Sequence, residues 1–183
     1  PIWPRAQAAA QRRSQSSSRK VRMSGSIVHS PSSTSAAAEA RRTPACSSLS
    51  IATSGATARG LPSFPSSLAA AQRTYGDFHL RVEASQVAGP DDNEYGVMVR
   101  MKDKSHLYRF AISGDGYFQV TKVAGDQLTL LTDEWTLSDA IHTGNATNVI
   151  EVVCQGAQMT FRVNSVVLAE VQDGDYRSGD IAL

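Results

Sequence analysis

Residues 106–123 have the sequence HLYRFAISGDGYFQVTKV. Tyr108, Phe110 and Ile112 occupy alternate positions, and the turn-forming residues 113–116 separate them from a second alternating run that begins at Tyr117. Alternation with a period of two is typical of strands with one buried face, and Gly and Asp between two such runs favour a tight hairpin. This stretch therefore predicts two antiparallel strands joined by a hairpin.

The same alternation continues on both sides of this hairpin. Turn residues recur at intervals of roughly 8 to 12 residues, which is typical of β-sandwiches and barrels. The predicted strands cover residues 78–84, 95–102, 106–113, 117–123, 127–131, 148–154, 158–164, 166–171 and 180–183. Between them, residues 133–141 form a short connection with Trp135 as a packed anchor, and Cys154 is a small buried hydrophobic residue. The sequence thus predicts an all-β fold over residues 74–183, an antiparallel, jelly-roll-like β-sandwich.

Residues 1–73 have a different composition. They contain 17 Ser and 15 Ala, with ten Lys or Arg against one Asp or Glu, and their few large apolar residues follow no period. Such a segment buries too little apolar surface to offset the entropy that the chain loses on folding. We therefore expect a disordered, basic leader rich in Ser, Ala and Arg ahead of the domain at residues 74–183.

Three interpretations of this leader stay open. An Arg-rich, Ser-rich and acid-poor composition is typical of organelle-targeting peptides. The basic clusters also suit a tail that binds nucleic acid or another acidic surface. Finally, an unselected GC-rich reading frame would encode the same composition. The leader contains no apolar run like that of a secretory signal.

Charge and composition exclude several classes for the predicted domain. Residues 74–183 contain eight Lys or Arg against sixteen Asp or Glu, so this part would repel the phosphates of a nucleic acid. No apolar run in the chain approaches the roughly 20 residues that a membrane-spanning helix needs. The two cysteines, Cys46 and Cys154, are too few for a disulfide framework.

Several segments of the predicted domain together form a recognisable pattern. They are EYGVMVR at 94–100, LYRFAIS at 107–113, Asp115-Gly116-Tyr117, Trp135, Asn148 and FRVN at 161–164. This pattern resembles the concanavalin A-like lectin and glucanase superfamily, particularly its bacterial branch similar to 3-keto-disaccharide hydrolase domains. The resemblance implies a jelly-roll fold, a carbohydrate or cell-envelope glycan as partner, and a location outside the cell or in the cell envelope. Its motifs describe strands and hairpins, so they specify a fold better than an activity.

The sequence departs from the family pattern in two respects. Family members usually have further strands before the segment equivalent to Phe78 and after the one equivalent to Ile181. We therefore expect a truncated jelly roll whose open edge strands can pair with another chain. The tight turn that is commonly Asn-Gly in the family is Asn164-Ser165 here, which carries a cost because Ser adopts positive φ less readily than Gly.

The outward-facing positions of the predicted strands offer a candidate sugar-binding surface. Arg, Glu and Gln side chains can hydrogen-bond to sugar hydroxyls, and an aromatic ring can support the apolar face of a sugar. The candidate ligand-binding residues are Arg81, Glu83, Arg100, Arg109, Gln119 and Tyr117. The resemblance implies that Glu83, Arg100 and Arg109 lie nearest the site, with Glu83 as the candidate catalytic carboxylate. An ordinary solvated sheet face explains the same polar positions.

The spacing of the carboxylates argues against one kind of catalysis. A retaining glucanase needs two carboxylates about 5 to 5.5 Å apart, which this superfamily usually places on one strand. The strand carboxylates Glu83, Glu151 and Glu170 fall on three different predicted strands. We therefore do not expect glucanase activity of that type.

Two acidic loops offer oxygen ligands of the type that Ca²⁺ takes. The candidate residues are Asp91 and Asp92 in one loop and Asp173 and Asp175 in the other. Neither loop has the spacing of an EF-hand, and the preference of Asp for turns explains both. We expect no cofactor, with Ca²⁺ as the alternative.

These observations favour a non-catalytic, carbohydrate-binding or cell-envelope-binding accessory module. The first alternative is a glycoside-processing enzyme similar to the 3-keto-disaccharide hydrolases. The second is a structural domain without a ligand.

Overall fold

The computed structural model describes residues 19–29, 47–55 and 70–183. Within these residues the chain forms twelve β-strands and no helix, so no helix there is long and apolar enough to cross a membrane. The strands are β1 (Arg19–His29), β2 (Ser47–Gly55), β3 (Phe78–Ala88), β4 (Glu94–Asp103), β5 (His106–Ser113), β6 (Tyr117–Ala124), β7 (Gln127–Leu130), β8 (Thr136–Leu137), β9 (Thr147–Gln155), β10 (Gln158–Val163), β11 (Val166–Gln172) and β12 (Asp180–Ala182).

The strands are arranged in two antiparallel sheets. Sheet A has the order β11-β10-β9-β3-β1-β2, and sheet B has the order β12-β4-β5-β6-β7, with β8 paired to β6. The predicted all-β sandwich is therefore confirmed. The short connection predicted at residues 133–141 contains β8, and Trp135 within it is half-buried.

The hydrophobic core lies between the two sheets. Phe110 of β5 and Phe161 of β10 meet across it, with ring centroids 5.1 Å apart. Buried residues at alternate strand positions surround this pair, among them Leu80, Val82 and Ile150. Since successive side chains of a strand point to opposite faces, the intervening residues form the outer face of each sheet.

Two local sequence predictions agree with the structure. The side chain of Cys154 is fully buried, and this burial raises the pKa of its thiol to about 12. Asn164 and Ser165 both have positive φ, 50° and 72°, in the turn between β10 and β11. Two consecutive residues with positive φ are what a tight turn between twisted antiparallel strands requires.

Two strands, β1 and β2, lie within residues 1–73, the segment for which the sequence predicts disorder. In β1, Val21, Met23 and Ile27 alternate with polar residues, and Met23 lies opposite Ala84 of β3 in the core with 7% exposure. β9 pairs with one side of β3, and β1 pairs with the other. This pairing gives β1 main-chain hydrogen bonds, which the composition of the segment cannot predict. Residues 70–73 of the predicted leader are also described, and Ala70 forms an isolated β-bridge with Ala182. The remaining leader residues, and the three interpretations of the leader, lie outside the described residues, and the boundary at residue 74 stays a prediction.

Candidate functional site

Two of the predicted ligand-binding residues, Arg81 and Glu83, lie together on the outer face of sheet A. Both are exposed, and they alternate along β3 with the buried Leu80, Val82 and Ala84. The strand period therefore places them on the same accessible face, as the sequence predicts.

Arg81 is held in place by Glu151 of β9. The two residues are opposite each other in the sheet register, and Nη1 of Arg81 donates a hydrogen bond to Oε1 of Glu151 at 2.8 Å. Nε2 of His79 lies 3.8 Å from the same oxygen. The Glu151 side chain is 12% exposed, whereas that of Arg81 is 47% exposed. The ion pair thus orients the guanidinium while much of the Arg81 side chain stays accessible.

Arg162 of β10 extends this arrangement by one strand. It lies opposite Glu151 on the side away from Arg81. In the described part of the chain, no ion pair joins Arg162 to a carboxylate, and its buried Nε has no hydrogen-bond partner. Arg81, Glu151 and Arg162 therefore form a row across three strands, in which the glutamate lies between the two arginines in the sheet register. We call these three residues the Arg-Glu-Arg row.

The other predicted ligand-binding residues do not lie on this face. Arg109 is on the outer face of sheet B, where both terminal nitrogens donate to the Glu94 carboxylate at 3.0 and 2.8 Å. Gln119 and Thr121 are on the same face and are only 8% and 0% exposed. Tyr117 is half-buried at the β5–β6 hairpin, where its backbone N–H donates to a serine hydroxyl. The outer face of sheet B therefore presents little accessible polar surface at these positions.

Arg100 is buried, and the expectation that it faces outward is wrong. Its φ is +52°, and the β4 register shifts around it, so the simple alternation of the strand is interrupted. Its side chain is 0% exposed, with Nη1 donating to the carbonyl of Tyr176 at 3.2 Å and Nη2 3.8 Å from Oδ1 of Asp77. The backbone of Gly179 lies against Arg100 so closely that a Cβ there would collide with the Arg100 carbonyl group.

The structure consequently separates the three residues that the family resemblance places nearest a sugar site. Glu83 is on the outer face of sheet A, Arg109 is on the outer face of sheet B, and Arg100 is in the interior. The hydrolase arrangement of Glu83 with these two arginines is not formed.

The first acidic loop forms the turn between β3 and β4. The N–H of Asn93 donates to the carbonyl of Pro90 at 3.1 Å, which closes the turn around Asp91 and Asp92. Asp91 is exposed and Asp92 is half-buried. Nothing in the described part of the chain groups three or more Asp, Glu, His or Cys residues in a way that could hold a metal ion.

In the second acidic loop, Asp173 and Asp175 bind a lysine. Nζ of Lys122 lies 2.6 Å from Oδ2 of Asp173 and 2.7 Å from Oδ2 of Asp175. The other oxygen of Asp173 accepts hydrogen bonds from the Tyr108 hydroxyl at 2.6 Å and from the Asp175 N–H at 2.9 Å. The ammonium group therefore occupies the position between the carboxylates that a cation would need. The predicted Ca²⁺ ligands instead anchor the β11–β12 loop.

The pKa values in this loop follow from these contacts. Burial by itself raises the pKa of Asp173, but the hydrogen bonds from Lys122, Tyr108 and the Asp175 amide outweigh it, and the net pKa is lowered. The hydrogen bonds to Asp173 and Asp175 raise the pKa of Lys122. Burial, and then the hydrogen bond to Asp173, raises the pKa of Tyr108. At neutral pH the loop thus contains an ionised, hydrogen-bonded network.

A cleft of about 620 Å³ opens at one side of the sandwich, between β11 of sheet A and the β7–β8 region of sheet B. Its lining combines apolar side chains with hydroxyl and carboxylate groups: Phe118, Leu130, Leu131, Thr132, Asp133, Thr136, Leu168, Ala169 and Glu170. Beside it, β11 exposes Val166 and Val167 by 50% and 46%. Pairing of this edge strand with another chain stays a prediction.

Sequence reasoning identified neither this cleft nor the Arg-Glu-Arg row. Asp133 lies in a bend and Thr136 begins the two-residue β8, so no periodic pattern indicates which way either side chain faces. Arg162 and Glu151 are recognisable as outward-facing residues, but only the register of β9 with its two neighbours aligns them with Arg81.

Comparisons with known proteins support the fold. No protein-family model and no curated protein matches the sequence. Among solved structures, the chain is similar to the carbohydrate-binding module CBM66 from Bacillus subtilis, with a TM-score of 0.54 and 13% sequence identity over 63% of this chain and 70% of that chain. The two proteins share a β-sandwich fold.

Proposed function

We propose that this chain is a non-catalytic carbohydrate-binding module that acts outside the cell or in the cell envelope. The observation that carries the proposal is the Arg-Glu-Arg row with the neighbouring Glu83 on an accessible face of sheet A. The proposal is supported by the fold shared with a carbohydrate-binding module and by the resemblance of the strand motifs to a lectin and glucanase superfamily.

The chemistry of this face suits sugar hydroxyls. Guanidinium groups donate several hydrogen bonds in a fixed plane, and carboxylates accept them, so together they can bind neighbouring hydroxyl groups. The 2.8 Å contact between Arg81 and Glu151 restricts the guanidinium before a ligand arrives. Residues mounted on a sheet and restricted in this way lose less conformational entropy on binding than free surface side chains do.

The arrangement favours binding without turnover. Glu83, the candidate catalytic carboxylate, lies on the opposite side of the sandwich from Arg109, and Arg100 is enclosed in the interior. A ligand on the outer face of sheet A would contact Glu83 as a hydrogen-bond acceptor beside Arg81.

The proposal is tested by a glycan array on the full chain, followed by calorimetric titration of the glycans that bind. Arg81→Ala should weaken binding at least about tenfold, because it removes charged hydrogen bonds to the sugar. Arg177→Ala is the matched control, since it removes an exposed arginine from the β11–β12 loop. Arg109→Ala distinguishes the two faces: weakening by this variant alone would move the site to sheet B. The absence of any glycan binding by the folded protein would overturn the proposal.

A further inference from the structure

The edge strand β11 joins two depressions on the surface. One is the cleft of about 620 Å³ between the sheets, and the other, of about 260 Å³, is lined by Gln158, Glu170, Val171 and Gln172. Glu170 lines both of them. It is exposed on the outer face of sheet A, next to the buried Ala169. The outer face therefore leads around the edge of the sandwich into the cleft.

The Arg-Glu-Arg row leads towards this edge. Arg81, Glu151 and Arg162 are in register on β3, β9 and β10. On the next strand, Glu170 lies opposite Thr160, which is two residues from Arg162 on the same face. Four adjacent strands span three interstrand spacings, or about 14 Å. A ligand that contacts both Arg81 and the cleft must therefore be longer than one sugar.

The cleft has the composition expected for one end of such a ligand. Leu130 is 42% exposed and, with the half-buried Leu131 and Leu168, forms the accessible apolar part of the lining, which can support the C–H face of a sugar ring. Asp133 and Glu170 contribute carboxylates to the lining, which can accept hydrogen bonds from hydroxyl groups.

We infer that the ligand is an oligosaccharide of three or more units that crosses β3, β9, β10 and β11 and places its terminal sugar in the cleft beside Glu170. This inference rests on the proposed function. Glu170 positions the ligand where it turns from the sheet face into the cleft, and the Arg-Glu-Arg row binds the preceding units.

The test is a calorimetric titration of the full chain with the mono-, di-, tri- and tetrasaccharides of the gluco-, xylo-, manno- and galacturono-oligosaccharide series. The series that binds should gain at least about tenfold in affinity from mono- to trisaccharide. Glu170→Gln should lower the affinity for the trisaccharide at least about tenfold, because it replaces a charged hydrogen-bond acceptor by a neutral one. Asp133→Asn should act in the same direction, because Asp133 lines the same cleft.

Glu134→Gln is the matched control, because Glu134 is exposed on the same bend and does not line the cleft. Affinity that does not change with chain length would overturn the inference and leave the proposed function standing. Equal effects of Glu170→Gln and Glu134→Gln on trisaccharide affinity would overturn it in the same way. Failure of every oligosaccharide, together with an empty glycan array, would overturn the proposed function itself.

Discussion

Replacing Asp173 by Asn tests the conclusion that the second acidic loop is held by an ion pair. Oδ2 of Asp173 lies 2.6 Å from the Lys122 ammonium, and the two side chains are 12% and 16% exposed. Asn keeps an acceptor for the Tyr108 hydroxyl but directs an amide N–H₂ towards the ammonium. Hydrogen bonds to charged groups contribute about 1.5 to 3 kcal/mol each, so losing one and weakening another should cost about 2 to 4 kcal/mol of unfolding free energy.

Asp175→Asn is the matched control in the same network. The Asp175 side chain is 65% exposed, although its carboxylate lies 2.7 Å from the same ammonium. Solvent screens such a pair, so the expected loss is only about 0 to 1 kcal/mol. Urea denaturation at neutral pH, followed by circular dichroism, measures both values. Equal losses for the two variants, or a loss below about 1 kcal/mol for Asp173→Asn, would refute the reasoning.

The difference in stability between the wild-type protein and Asp173→Asn should also depend on pH, with a sign that the pKa of Asp173 defines. The pKa of Asp173 is lower in the folded chain than its ordinary value of 3.8. Its stabilising contribution is therefore complete above the ordinary pKa and is lost as pH falls through the lower, folded pKa. The difference in unfolding free energy between the wild-type protein and Asp173→Asn should persist from pH 7 to about pH 5 and shrink in more acidic solution. A difference that grows on acidification would contradict this assignment.

Three further predictions concern the core, the predicted cation site and the buried arginine. Asn148→Ala should lower the free energy of unfolding by at least about 3 kcal/mol. The buried Asn148 amide donates to the Tyr95 hydroxyl at 3.0 Å and to the His142 carbonyl at 2.9 Å, and its oxygen accepts two more hydrogen bonds. Thermal unfolding measures this loss, with Asn145→Ala as the control because Asn145 is exposed. Millimolar Ca²⁺ should leave the melting temperature unchanged, because an ammonium occupies the acidic loop; a clear rise would show that Ca²⁺ binds. Arg100→Met should retain glycan binding in calorimetry, because Arg100 is 0% exposed, and loss of binding by a folded variant would place Arg100 at the site after all.

The sequence predicts the strands of residues 74–183 well because alternation directly reports a half-buried strand. Of the strands in this range, only the two-residue β8 lacks a predicted counterpart, since so short a run cannot show a period. β1 is different: its alternation is present but lies within a Ser-rich, basic segment, and pairing with β3 outweighs that composition.

The candidate site was less predictable because it depends on register and on irregular backbone. Alternation correctly places Arg81 and Glu83 on one outer face. Alternation fails at Arg100, because Arg100 itself has a positive φ that interrupts the regular strand, and its side chain is buried in the interior. It also cannot assign outward-facing residues to one sheet or the other, so it did not separate Glu83 from Arg109.

The claim that the outer face of sheet A binds glycan is tested most directly by nuclear magnetic resonance of the full, ¹⁵N-labelled chain during titration with an oligosaccharide that the array identifies. The largest amide shift changes should fall around Arg81, Glu151, Arg162 and Glu170, with little change at β5. Changes concentrated around Arg109 on β5, with β3 and β9 unaffected, would contradict it.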